Sequence, residues 1–296
     1  MRILVLGARG MMGHMACREF STRHEVFGTI REDLPLYSAL ANFLPPDRWV
    51  RDVDADDMGS VLRAVEEVEP DAVLNCIGII KQAPEAADPI VSIENNALFP
   101  HRLAELCNSA GVRMVHLSTD CVFSGLKGMY TENDIPDPVD LYGRSKLLGE
   151  TESGEALTLR TSVVGREIRG HLSLFEWALG SIGTSVRGFD RAIYSGLTTL
   201  ALAEVIGQVF ENHSDLTGVW HVASESITKY ELLRQLVERL GLDLDIERDE
   251  SFVCDRSLDG SAFNAETGIV VPSWDDMLTR FAEDQPSYAG LGEESS

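Results

Sequence analysis

The 296 residues carry 48 Asp and Glu against 25 Lys and Arg, a formal net charge of −23 with a pI near 4.6. A field of that sign repels phosphate backbones, so no nucleic-acid partner is expected. No apolar run approaches the roughly 20 residues that span a bilayer, and Ile3–Leu6 is too short for a signal peptide, so no membrane partner and a cytoplasmic location are expected.

Apolar residues make up 44% and the mean hydropathy is −0.04, ordinary values for a folded domain. A chain this long buries roughly 75% of its unfolded surface, enough for a core without covalent staples. Only four of the basic residues are lysines: Lys81, Lys127, Lys146 and Lys229. Excess carboxylate with scarce lysine fits either adaptation to high salt or a GC-rich genome that favours arginine. The five cysteines, Cys17, Cys76, Cys107, Cys121 and Cys254, are scattered and form no C-x-x-C pair. They read as reduced thiols rather than a disulfide frame, and no metal site is expected.

In chain order, strand-like runs at Ile3–Leu6, Glu25–Thr29, Ala72–Cys76, Met114–Ser118 and Leu157–Thr161 alternate with helical patterns. The helices fall near Met12–Phe20, Met58–Val68, Ile93–Ala110 and Tyr142–Glu152. Continuous rather than alternating apolar strands, spaced by crossover helices, predict an α/β fold with a doubly wound parallel sheet of Rossmann type. Beyond about Gly165 the rhythm is irregular. Ser181–Ser195 reads as loop, Leu200–Phe210 and Tyr230–Leu240 as helices, and Val219–Val222 as a short strand. The expected organisation is a dinucleotide-binding domain over 1–165, a smaller substrate lobe over 166–285 with elements returning to the main sheet, and a flexible polar tail over 286–296.

Gly7-Ala8-Arg9-Gly10-Met11-Met12-Gly13 ends the first strand and opens the first helix. Glycine at these positions permits a tight turn, close backbone approach to a pyrophosphate, and close helix–strand packing. The helix N-terminus then presents free N–H groups to the phosphates. Preference between dinucleotides turns on the end of the second strand, where an acid holds the ribose 2′-hydroxyl of NAD. Here Thr29 and Arg31 stand there, with Arg9 on the same side and Glu32-Asp33 just beyond. Two guanidinium groups suit a 2′-phosphate, so NADP(H) is favoured over NAD(H).

Tyr142-Gly143-Arg144-Ser145-Lys146 places a phenol and an ammonium one helical turn apart on one face. A neighbouring ammonium lowers the phenol's pKa, which makes proton exchange with a carbonyl oxygen feasible. Upstream, Leu117-Ser118-Thr119-Asp120-Cys121-Val122-Phe123-Ser124-Gly125 brings hydroxyls to the C-terminal end of a strand, where they should face the ligand crevice.

With the glycine turn, Asn96-Ala97, the Ser118–Gly125 block, Tyr142–Glu150 and Arg160-Thr161-Ser162, the chain resembles the extended short-chain dehydrogenase/reductase superfamily, and within it the dTDP-4-dehydrorhamnose reductase family. The resemblance is strongest over residues 1–165. It implies that Tyr142 donates the proton to a sugar carbonyl, that Lys146 tunes Tyr142 and holds the nicotinamide ribose, and that Thr119 and Asp120 address the same carbonyl and the substrate. It assigns Asp52-Val53 to the adenine, and Asn75, Cys76, Ile77, Gly78 and Thr161 to the cofactor along with Gly7, Arg9, Gly10, Met11, Met12, Gly13 and Arg31. Asn96 becomes the asparagine that helps position the lysine. The family usually carries Tyr where Cys121 stands, and related dehydratases carry Glu, so an elimination chemistry loses its acid–base pair here.

For the substrate, Lys81, Val122, Phe123 and Arg187 are candidate contacts, with Trp177, Trp220 and Trp274 as candidate stacking surfaces. The reading favours an NADPH-dependent reductase of a nucleotide-linked (dTDP or UDP) 4-keto-6-deoxy sugar in surface-glycan precursor synthesis. Epimerisation within the same superfamily and a non-catalytic NADP-binding regulatory subunit are the alternatives. A homodimer through the helices near 93–110 and 142–152 is expected by analogy.

Overall fold

The computed structural model describes residues 1–31, 41–168 and 172–288. Strand β1 (Arg2–Leu6) leads into helix α1 (Met11–Phe20), then β2 (Glu25–Thr29), β3 (Trp49–Val50), α2 (Met58–Val68) and β4 (Ala72–Asn75). Next come α3 (Pro89–Ile93), α4 (Phe99–Ala110), β5 (Arg113–Thr119), α5 (Leu141–Leu148) and β6 (Leu157–Thr161). From the second half, β11 (Gly218–His221) returns beside β6. The seven strands form one parallel sheet in the order β3-β2-β1-β4-β5-β6-β11.

Both faces of this sheet are covered, which is why β1 and β4 run apolar without alternation. Ile3 and Val5 face one core and Leu4 and Leu6 the other. The first core is closed by α1 and by α7 (Thr199–Asn212), the second by α2 and α4. Because β2 and β4 flank β1, the chain leaves β1 in opposite directions, and a crevice opens above the C-terminal ends of β1 and β4.

Two departures from the sequence pattern shape this crevice. The helix expected over Ile93–Ala110 begins earlier and is interrupted by a π-helical turn at Glu94–Leu98, joining α3 to α4. Such turns insert an extra residue and re-aim side chains locally. The helix expected to run to Glu152 stops at Leu148. Gly149 passes so close to the π turn that a Cβ there would sit 1.9 Å from the Asn96 carbonyl oxygen, and the chain turns away.

The segment read as loop over Ser181–Ser195 instead holds β8 (Ser185–Phe189) and β9 (Ala192–Tyr194). Strand β8 pairs with β13 (Asp245–Asp249), and β9 lies between β12 (Ile227–Thr228) and β14 (Cys254–Asp255). In the β8–β13 ribbon only Val186 and Ile246 turn to the core, so apolar content alone did not mark the strands. Strands β7 (Val163–Val164) and β10 (Leu197–Thr198) form a further parallel pair, followed by α7. The rest of the second half supplies α6 (Leu174–Leu179), α8 (Lys229–Leu240), α9 (Ser261–Thr267) and α10 (Trp274–Glu283).

The tail expected to be free from residue 286 is docked at its start. Gln285–Tyr288 form a 3₁₀ turn, and the buried Tyr288 hydroxyl meets His14 Nε2 at 2.8 Å. Residues 289–296 lie outside the described residues.

Candidate active site

At the β1–α1 junction Gly7 is left-handed (φ 73°), a conformation that costs other residues strain. Its N–H donates to Thr29 Oγ1 at 3.2 Å, and Gly10 N–H donates to the Gly7 carbonyl at 3.0 Å. A Cβ on Gly13 would lie 2.2 Å from that carbonyl oxygen, so only glycine lets α1 start against β1. No side chain caps α1 and no acid lies in its first turn. In a chain of −23 this leaves a helix N-terminus whose free N–H groups suit a phosphate. Arg9 is half-buried within the turn, and Arg31 is exposed just past β2. Glu32 and Asp33 lie outside the described residues. Asp52 is left-handed (φ 56°) and exposed, while Val53 is buried and donates to the Ile30 carbonyl at 3.1 Å. The 52–53 corner therefore adjoins Arg31.

Beyond β4 the backbone crosses in front of the glycine turn. Cys76 N–H donates to the Leu6 carbonyl at 3.1 Å, and a Cβ on Gly7 would come within 3.1 Å of Ile77 N. A Cβ on Gly78 would lie 3.0 Å from Asn96 Oδ1 and 3.8 Å from Lys146 Nζ. The glycine turn, the 76–78 segment and Lys146 of helix α5 thus lie side by side.

Helix α5 begins at that crevice because Asp140 caps it, accepting from Gly143 N–H at 2.8 Å. Its first turn presents Tyr142, whose phenol lies beside the Thr119 side chain. Burial, with the Cys121 thiol next, holds that phenol above its ordinary range. One turn on, Lys146 is buried and donates to the Leu117 carbonyl at 2.6 Å, with His116 Nε2 at 3.4 Å from its Nζ. Burial lowers Lys146 to about 8, against the opposing pull of Glu150 and Cys76. Asn96 sits in the π turn, where its amide accepts from Ile79 N–H at 2.8 Å and donates to the Ile79 carbonyl at 3.0 Å. It reaches Ser145 Oγ at 3.2 Å as well, so it braces both the 76–79 segment and α5.

Asp120 is buried next to Thr119 and accepts from its hydroxyl at 3.2 Å. Burial raises the Asp120 carboxyl, and Arg256 offsets part of that rise. Lys81 pairs with Asp140 at 2.7 Å, at the mouth rather than inside. Thr161 is buried at the end of β6, opposite Thr119 in the sheet register.

Two expectations for this region change. Val122 and Phe123 are fully buried, Phe123 stacking on Tyr130 at 4.2 Å, so their side chains pack a small core instead of touching a ligand. Arg187 lies exposed on the β8–β13 ribbon, where it pairs with Asp249 at 3.2 Å. The Ser118 hydroxyl faces Glu150 at 2.7 Å rather than the crevice. Of the tryptophans, Trp274 is buried and donates to the Glu225 carbonyl, and Trp220 is half-buried with its indole on Thr217.

The family described as the RmlD substrate binding domain matches residues 1–285. The chain belongs to that family. This RmlD-family member is an oxidoreductase of the extended short-chain dehydrogenase/reductase type. It is 29% identical, over 94% of its own length and 96% of the relative's, to a probable low-salt glycan biosynthesis reductase of Haloferax volcanii. Among solved structures it is similar to a hypothetical dTDP-4-dehydrorhamnose reductase from Sulfolobus tokodaii, with TM-score 0.74, 25% identity, and 93% and 98% of the two chains covered. A dTDP-4-dehydrorhamnose reductase from Bacillus anthracis in complex with NADP shares the fold, with TM-score 0.78 at 20% identity and 96% and 99% coverage.

Within this RmlD-family crevice the sequence reading overlooked His116 and Arg256, and it placed Asn75 at the cofactor without its bond to His116. His116 carries a legible signal, since it is a polar residue within the apolar run Met114–Leu117 of a buried strand. Arg256 carried none. It follows β14, far from the motifs in sequence, and donates to the Phe123 carbonyl at 2.8 Å while its charge bears on Cys121, Asp120 and Asp140.

Proposed function

We propose that the protein is an NADPH-dependent reductase of a nucleotide-linked 4-keto-6-deoxy sugar, acting in glycan precursor synthesis. The observation that carries this reading is the meeting of Tyr142, Thr119 and Lys146 in the crevice bounded by the Gly7–Gly13 turn and Cys76–Gly78. NADPH, when bound, supplies the hydride. Tyr142 donates its phenolic proton to the carbonyl oxygen, and Thr119 holds that oxygen in line. Lys146 stabilises the phenolate left behind, and Asp120 orients the substrate. Arg9 and Arg31 serve the 2′-phosphate, Asp52-Val53 the adenine, and Gly7, Gly10, Met11, Met12, Gly13, Cys76, Ile77, Gly78 and Thr161 the remainder of the cofactor. Lys81, freed from Asp140, reaches the substrate's phosphates.

The Haloferax volcanii relative, named as a probable glycan biosynthesis reductase, supports the reaction class. The division into a cofactor half over 1–165 and a substrate lobe over 166–285 belongs to the same proposal. So does a homodimer, for which Ile90, Ile93, Leu98 and Leu148 offer exposed apolar side chains on α3, the π turn and α5.

The test follows loss of reduced-nicotinamide absorbance with a panel of dTDP- and UDP-linked 4-keto-6-deoxy sugars. Oxidation with one of them, cut by about 10²–10⁴-fold in Tyr142→Phe, is the expected result. Tight NADPH binding with no turnover on any of them rejects the reductase. Epimerisation of a sugar nucleotide without net oxidation would then be measured on the same protein.

A further inference from the structure

The buried polar pair Asn75 and His116 occupies a defined position beside Lys146. The backbone N–H of Ile77 donates to Asn75 Oδ1 at 3.0 Å. A backbone N–H can only donate, so this bond fixes which end of the Asn75 amide is oxygen. The NH₂ end must then point the other way, and it meets His116 Nδ1 at 3.0 Å. Nδ1 is therefore an acceptor and carries no proton. His116 is wholly buried, and burial first, then Lys146 and His101, hold it neutral. A neutral imidazole with a bare Nδ1 carries its proton on Nε2. That N–H is aimed at Lys146 Nζ, 3.4 Å away.

An N–H facing an ammonium is donor against donor. The same N–H facing a neutral amine finds a lone pair, while the amine still donates to the Leu117 carbonyl at 2.6 Å. We propose that Asn75 locks His116 in the Nε2–H tautomer, and that His116 thereby acts as a positioning residue that favours the deprotonated form of Lys146. The remaining groups that bear on Lys146 are Glu150 and Cys76, both of which favour its charge, so the imidazole works against them. The proposal rests on the reading of Lys146 as partner of Tyr142. There it has a clear use. After Tyr142 gives its proton to the carbonyl oxygen, an N–H bond of Lys146 breaks as the phenol O–H is restored, and Lys146 is left as the neutral amine that His116 stabilises. Solvent then returns the proton to Lys146.

The experiment uses the full chain without cofactor, labelled with ¹⁵N-histidine and with ¹³C at lysine Cε, and reads both groups by NMR. With only four lysines, Lys146 is assignable from a Lys146→Arg spectrum. The expected results are a His116 ring protonated at Nε2 alone and a Lys146 midpoint below those of Lys81, Lys127 and Lys229. In Asn75→Asp, the carboxylate can only accept, so the ring proton moves to Nδ1 and donates to it, and the Nε2 lone pair faces Lys146. The Lys146 midpoint then rises by about one pH unit, a tenfold change in its ionisation. The double variant Asn75→Asp with His116→Phe keeps the carboxylate and removes the ring, so the excess rise in the single variant isolates the imidazole. A wild-type ring protonated at Nδ1, or equal midpoints in the single and double variants, overturns the proposal. Because no turnover is read, failure of the reductase assay does not decide this result. In active enzyme, the alkaline limb of kcat in Asn75→Asp should move upward by the same amount.

Discussion

Arg160 forks onto Glu150, with Nε to Oε1 at 2.8 Å and Nη2 to Oε2 at 2.7 Å, and both side chains are only 7% exposed. Ser118 Oγ adds a third bond to Glu150, and Arg160 also meets His221 at 3.2 Å and the face of Phe123. The pair ties the residue just past α5 to β6, so it anchors the helix that carries Tyr142 and Lys146. Removing one partner leaves a buried charge without compensation. Glu150→Ala should therefore lose about 3–5 kcal/mol in urea unfolding. Replacing both partners with leucine should cost much less, and an equal cost for both variants would refute the pair as the cause.

Gly13→Ala tests the glycine turn apart from the chemistry. The new methyl group would meet the Gly7 oxygen at 2.2 Å and the Ala8 Cα at 2.8 Å, both backbone atoms that no rotamer change relieves. Overpacking of this kind costs about 1–3 kcal/mol, and α1 must tilt away from the proposed phosphate site. Fluorescence titration should show weaker NADPH binding. Gly111→Ala makes a fair control for backbone strain alone, because Gly111 is left-handed (φ 65°) with nothing within 4 Å of its would-be Cβ. It should leave NADPH affinity intact.

His14 makes the fold acid-sensitive. Its ring bridges the Gly10 carbonyl at 2.9 Å and the Tyr288 hydroxyl at 2.8 Å, and burial pulls it down to about 4. Between about 4 and the ordinary 6.5 the unfolded chain binds the proton and the folded one does not. Stability therefore rises with pH across that window and is lost on acidification, by about 3 kcal/mol for a shift of this size. His14→Gln lacks the titration. Its deficit against wild type should be largest at pH 7 and shrink toward pH 4, whereas a deficit independent of pH would count against this account.

What the sequence made legible follows from where its signals are strong. Strands β1 and β4 are apolar without alternation because both sheet faces are covered, and that pattern is visible in Ile3–Leu6 or Val73-Leu74 without coordinates. Tyr142 and Lys146 declare themselves by helical spacing. The strands β8 and β13 were hidden, since Ser-Val-Arg-Gly-Phe and Asp-Ile-Glu-Arg-Asp bury almost nothing individually and are defined by pairing with each other. The π turn was hidden for a related reason, because its extra residue is set by packing of Asn96 against Ile79 and Ser145. Val122 and Phe123 were misread because motif position does not reveal which side of a 3₁₀ turn faces inward.

The cysteines provide a last, inexpensive check on the packing of the site. Burial, with Asp120 next, pushes the Cys121 thiol up to about 12, and burial likewise raises Cys76 and Cys107 to about 12 and Cys17 well above its ordinary range. The thiolate is the reactive species, and at pH 8 a thiol of that pKa is ionised to only about one part in 10⁴. A maleimide at pH 8 should therefore leave these four unmodified in the native protein for hours. In urea all five should react within minutes. Fast labelling of Cys121 in the native state would mean that the wall beside Tyr142 and Asp120 opens to solvent, and the raised phenol and carboxyl would fall back toward their ordinary values with it.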